Sequence, residues 1–155
     1  MSKRLLTVVI LAVLAAAFLA PSLRAQNVLI GKYKTIADEG PDKGKAKSHL
    51  EIFEQNGAYF ARIAKLLLEP QDKVCEKCKG EKKGKPLVGM VLMSDMKKTG
   101  KVDKDFGDEY AGGEIMDPEN GKSYRCKIWV KGDVLTVRGY LAMFHRTQNW
   151  YRVTD

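Results

Sequence analysis

The stretch from Ile115 to Val153 restricts the possible folds more than any other part of the chain. It opens on Asp117-Pro118-Glu119-Asn120-Gly121, residues that tolerate or impose turn dihedrals. From Lys122 to Val130 the chain alternates: Tyr124, Cys126, Ile128 and Val130 share one face, and Ser123, Arg125 and Lys127 share the other. After Lys131-Gly132-Asp133 the alternation resumes, with Leu135, Val137 and Gly139 set against Thr136 and Arg138. Thr147 to Val153 supplies a third segment, carrying Trp150 and Arg152. Segments of period 2 joined by tight turns predict an antiparallel meander with one buried face.

Upstream the same grammar recurs with less regularity. Gly31 to Ile36 reads as a short strand around Tyr33, and Asp38 to Ser48 as a polar loop. Ser48–Glu54 and Ala58–Leu66 face each other across Gln55-Asn56-Gly57, and Asn-Gly accepts the positive φ values of a tight hairpin turn. Leu50, Ile52, Tyr59, Ala61 and Ile63 then point inward. Phe60 to Leu68 also has good helix composition, but the hairpin turn needs a partner strand there. Glu69 to Pro86 is a lysine-rich loop holding Cys75-Glu76-Lys77-Cys78. Leu87 to Met93 reads as an apolar strand whose Gly89 marks a bulge or a close backbone approach. Ser94 to Tyr110, of mixed charge, reads as loop with room for one helical turn, and Ala111 to Met116 leads into the meander. The expected fold is all-β, a single antiparallel up-and-down β-barrel of about eight strands, the closed arrangement that removes sheet edges.

The first 25 residues stand apart from this pattern. Lys3 and Arg4 precede an apolar run from Leu5 to Ala20, and Pro21-Ser22-Leu23-Arg24-Ala25 follows with a breaker and a small residue. That is the pattern of a secretory signal peptide, residues 1–25, leaving one barrel domain over residues 26–155. A retained membrane anchor is the competing reading, but the run is short for a span. No cysteine stands at the cleavage region, so lipid attachment there is excluded. The expected location is periplasmic or secreted, without stable membrane insertion once the leader is removed. The leader holds Lys3, Arg4 and Arg24 and no acid, so the net charge of +8 falls by those three to +5. In an exported protein such a charge concerns solubility or weak attraction to anionic surfaces, and no nucleic-acid partner is expected.

Several motifs together resemble one family. Gly31-Lys32-Tyr33, Cys75-Glu76-Lys77-Cys78 with Lys85-Pro86-Leu87-Val88-Gly89, the run Asp117 to Cys126, Val137-Arg138-Gly139-Tyr140 and Arg146 to Val153 resemble the domain of unknown function 2147 family. The resemblance covers nearly the whole mature chain. It implies a small secreted protein of a bacterium with a Gram-negative envelope, and it carries no activity. Tyr33 stands where that family has tryptophan, and His145 where it has glycine. A looser likeness is to lipocalin-type and streptavidin-type barrels, which stack a first-strand tryptophan on a last-strand arginine. Tyr33 and Arg152 are expected to close the barrel in that way, by a cation–π contact of about 0.5–2 kcal/mol.

Cys75 and Cys78 allow three readings. In an exported protein a disulfide is the simplest. A redox-active pair needs a helix N-terminus that the loop composition does not provide. A zinc site needs two more ligands; Cys126 and one histidine could converge, but no second pair stands at finger-like spacing, so no metal is expected. Cys126 alternates with Tyr124 and Ile128 and reads as a small buried hydrophobe. Asp103, Asp105, Asp108 and Glu109 fail calcium-loop spacing at Gly107. His49 and His145, the two histidines, lack a nucleophile or carboxylate motif beside them, so the chain is not expected to be an enzyme and no cofactor is implied. The six lysines from Lys73 to Lys85 fit a solvated loop first and an anionic-surface contact second. The leading expectation is a barrel for a small apolar or amphipathic ligand, lined by Tyr59, Ala61, Met93 and Trp150. The alternative is an envelope interaction or stability factor with a solid-packed interior. An apolar cavity of a few hundred cubic ångströms separates the two.

Overall fold

The computed structural model describes residues 28–154, and the expected leader lies outside them. Eight strands run in chain order around a closed barrel: β1 (Gly31–Ile36), β2 (Ala46–Gln55), β3 (Ala58–Leu66), β4 (Val91–Asp103), β5 (Gly107–Asp117), β6 (Lys122–Lys131), β7 (Val134–Leu141) and β8 (Phe144–Arg152). Every neighbouring pair is antiparallel, including β1 with β8, so each strand is paired on both sides. Among the described residues the helical element is one 3-10 turn, Gly80–Lys82.

The β2–β3 hairpin forms as its turn demands. Asn56 and Gly57 both take positive φ, 53° and 76°, and Phe53 pairs with Phe60 across the strands. The helical composition after Phe60 is overridden because Ala61, Ile63 and Leu66 find buried places on a strand. In the meander Cys126, Ile128, Val130, Leu135, Val137 and Trp150 are buried, matching the alternation of the sequence. Trp129 is buried too, although it faces outward. Phe106 lies 5.8 Å away and the Arg138 guanidinium sits over its ring at 5.2 Å.

Two stretches depart from the sequence reading. Ser94 to Tyr110 is not a loop: it is most of β4 and the start of β5. Its apolar alternation is hidden because Lys97 to Lys101 are exposed whichever way they point. It is broken again by bulges, where β4 carries an extra residue near Asp95 (φ 60°) and β5 one at Gly112 (φ 91°). Leu87 to Met90 is not strand either. Leu87 and Met90 are buried as part of a covering loop, and Gly89 (φ 86°) turns so that its N–H donates to Ile63 O at 2.8 Å.

The two barrel ends are built differently. One end carries residues 28–30 and the turns at 56–57, 104–106 and 132–133. There Tyr33, Ile52, Ala61, Met93, Met96, Ile128 and Leu135 pack into a core with almost no exposed surface. The other end carries the loops 37–45, 67–90, 118–121 and 142–143.

Candidate functional site

Toward that second end the barrel encloses a cavity of about 690 Å³. Its apolar wall is formed by Leu50, Ile63, Leu66 and Ile115, on the mouth-side halves of their strands, and by Val137 and Trp150, which lie deeper toward the packed end. Period-2 alternation turns these side chains inward, and the loop 67–90 adds Leu87 and Val74. The hydroxyls of Thr35 and Ser48 also line the wall and bond each other at 2.8 Å. Gly139 leaves a gap in the lining: a Cβ there would meet Tyr124 Cβ at 3.3 Å and Ile115 Cγ2 at 3.7 Å. Trp150 is 3% exposed, and its Nε1 is a buried donor without a hydrogen-bond partner.

Of the four expected lining residues, the cavity is lined by Trp150 alone. Ala61 and Met93, both 0% exposed, pair across β3 and β4 in the packed half of the barrel. Tyr59 lies there as well, edge-on to Tyr110 with ring centroids 5.2 Å apart. Alternation predicts which face a residue takes but not its height along the barrel. These three belong to the solid end.

The rim is polar and largely self-paired. Arg146 on β8 holds Asp38 in a two-pronged contact, with Nη2–Oδ1 at 2.6 Å, and also reaches Glu39 at 3.1 Å. Gln148 donates to Asp38 Oδ2 at 3.1 Å, and Lys47 pairs with Glu119 at 2.6 Å. The Arg146 hydrogen bond pulls the Asp38 carboxyl below the usual carboxylate range, against a smaller opposing effect of burial. A depressed folded pKa stabilises fully above the unfolded value of about 3.9, and that stabilisation is lost as pH falls through the lower folded value. Both side chains are about half exposed, so the bridge contributes about 0–1 kcal/mol. We expect Asp38→Asn to lower the urea midpoint at pH 7, with the gap to the parent protein closing as pH falls through the depressed folded value of Asp38. A gap that persists in acid would show that Asp38 acts through something other than its charge.

The loop 67–90 carries an internal Cys75–Cys78 disulfide. Both cysteines are buried, with Cys78 Sγ 3.8 Å from Met116 Sδ and Cys75 Sγ 3.7 Å from Pro118 O. Oxidised sulfurs are not thiolate ligands, so the pair does not form a zinc site in this state. Gly121 (φ 69°) lets the loop close on the β5–β6 turn, since any Cβ there would collide with the Lys77 carbonyl. Cys126 is a buried free thiol whose pKa burial pushes up to about 12. The native protein is therefore expected to show no titratable thiol, and denaturation without reductant to expose one. Replacing Cys75 and Cys78 by serine removes about 2 kcal/mol of small-ring entropy and should leave the barrel folded. Because both sulfurs are buried, hydrogen exchange should rise in the loop 67–90 before it rises in the strands.

At the packed end, the Arg152 guanidinium lies 4.8 Å from the Tyr33 ring centroid. Its Nη2 donates to Tyr33 Oη at 2.6 Å and to Val28 O, and its Nη1 donates to Ile30 O at 3.1 Å. Tyr33 Oη in turn donates to Leu29 O at 3.0 Å. Gly31 makes room, because a Cβ there would run into Arg152 Nη1.

A closed eight-stranded up-and-down barrel, packed at one end and hollow at the other, is a lipocalin-like cup. The chain belongs to the DUF2147 family, described as an uncharacterized protein conserved in bacteria, whose pattern matches residues 31–152. Its structure is similar to that of protein HP1028 from the human pathogen Helicobacter pylori, described as belonging to the lipocalin family. The two share 24% identity with a TM-score of 0.66, over 82% of this chain and 84% of that one. At that identity the likeness is one of fold. No curated protein matches the chain.

Proposed function

We propose that this is an exported binding protein for a small apolar or amphipathic molecule. The apolar part would lie against Leu50, Ile63, Leu66, Val137 and Trp150, and the polar part at the charged rim. The observation that carries this reading is the cavity of about 690 Å³, apolar inside and polar at its mouth. Ligand pockets of about 300–1,000 Å³ enclose drug-sized molecules, and an eight-stranded barrel is wide enough for one small ligand. The same cavity argues against a solid-packed interaction factor. Export is supported by the disulfide, which persists in oxidising compartments, and by the sequence of residues 1–25. Binding is favoured over catalysis because Arg146, Asp38, Lys47 and Glu119 are engaged with one another at the rim. The Trp150 indole N–H is the wall group that a bound oxygen atom would benefit most.

A homologous series of single-chain alcohols, followed by tryptophan emission in a Trp129→Phe background, tests the reading. Each CH₂ buried in the cavity should tighten binding by about three- to fourfold until the chain outgrows the cup. An affinity independent of chain length, or no saturable change, would reject it.

A further inference from the structure

The tip of the β7–β8 hairpin is built from the wrong residues for a turn. Leu141 pairs with Phe144 across a two-residue connection, Ala142-Met143. Ala142 takes φ 52°, a left-handed conformation normally left to glycine or asparagine in such turns. The tip is also open to solvent: Met143 is 92% exposed, Phe144 79% and Leu141 51%. Nothing in the packing of the barrel calls for apolar side chains there. Leu141 and Phe144 sit on the cavity mouth together with Lys73, Val74 and Lys77 of the loop 67–90. That loop carries six lysines against four acids. Lys77, Lys79, Lys83 and Lys85 are exposed and form no ion pair among the described residues.

We propose that the hollow end docks on an anionic lipid bilayer, with Met143 and Phe144 inserted below the headgroups and the loop lysines set against the phosphates. An apolar point flanked by basic side chains matches the layering of such a surface, where apolar insertion and lysine–phosphate attraction add. A second copy of the chain is a poorer occupant. Three side chains on a projecting hairpin bury far less than the ~1,200 Å² of a stable interface, and the lysine loops would repel each other. Docking in this orientation would bring the cavity mouth to the bilayer, but it does not depend on what the cavity holds.

The test uses the protein as purified from its own cells, co-sedimented with phosphatidylcholine vesicles with and without phosphatidylglycerol. Binding is expected to the mixed vesicles, to weaken on pure phosphatidylcholine and to fall with added salt. Met143→Glu, at a fully solvated position outside the cavity, should keep the parent thermal midpoint and the parent alcohol affinity. It should lose about tenfold or more in vesicle binding, and Met143→Leu should restore it. Equal binding of the parent and Met143→Glu, or no binding to any vesicle, would overturn the proposal. So would a dimer in sedimentation velocity that Met143→Glu dissociates, since that would make the occupant a second copy. Loss of alcohol binding with vesicle binding intact would instead count against the cavity reading alone.

Discussion

Arg152→Ala is expected to be the most destabilising single substitution outside the apolar core, by about 2–4 kcal/mol. The arginine is a hub for which no neighbour can substitute. Its guanidinium stacks on Tyr33, donates to Tyr33 Oη and caps the carbonyls of Val28 and Ile30, joining the segment before β1 to the end of β8. Those two strands meet over a short register, Tyr33 with Arg152 and Lys34 with Tyr151, so the closure of the barrel leans on this side chain. Truncation removes the cation–π contact and the donor to the part-buried Tyr33 Oη, and it unties the exposed Val28 and Ile30 carbonyls from β8. A fall in the thermal midpoint on the order of 10 °C follows for a domain of this size. Arg152→Lys should recover little, because an ammonium lacks the planar fork that serves several acceptors at once. A loss below about 1 kcal/mol for the alanine variant would show that β1 and β8 are held by their backbone ladder instead.

Gly139→Phe is expected to abolish alcohol binding while leaving the protein folded. The glycine sits on the cavity wall between Tyr124 and Ile115, where a Cβ meets side chains at tolerable distances and no backbone. A phenyl group added there projects into space that a ligand would occupy. For the Cβ itself Tyr124 needs to give by only a few tenths of an ångström. Overpacking should therefore destabilise by about 1–3 kcal/mol at most, and affinity should drop by at least about tenfold. Unchanged affinity would place the ligand elsewhere.

The legible and illegible parts of this chain divide along physical lines. Asn56-Gly57 and the alternation from Lys122 to Trp150 are local signals, and the hairpin and meander they announce are in the structure. β4 and β5 were hidden because bulges at Asp95 and Gly112 break the period and the outer reach of the hairpin is polar on both faces. In the site, Trp150 could be read from its place on an inward-facing strand. Tyr59, Ala61 and Met93 share that inward direction but lie in the packed half, since height along a barrel depends on stagger and on which end the loops cover. The Asp38–Arg146 bridge spans 108 residues and has no local signature. The apolar turn at Ala142-Met143 was visible as a violation of turn chemistry, and only the structure shows that it stands at the cavity mouth.

Native mass spectrometry of the protein isolated from its own cells under non-denaturing conditions tests the central claim most directly. A cavity of about 690 Å³ with an apolar wall should retain its occupant through purification. The expected spectrum shows a one-to-one adduct of small-molecule mass that is released by organic solvent and missing from Gly139→Phe. A bare polypeptide mass throughout, or an adduct that Gly139→Phe retains equally, would contradict the account.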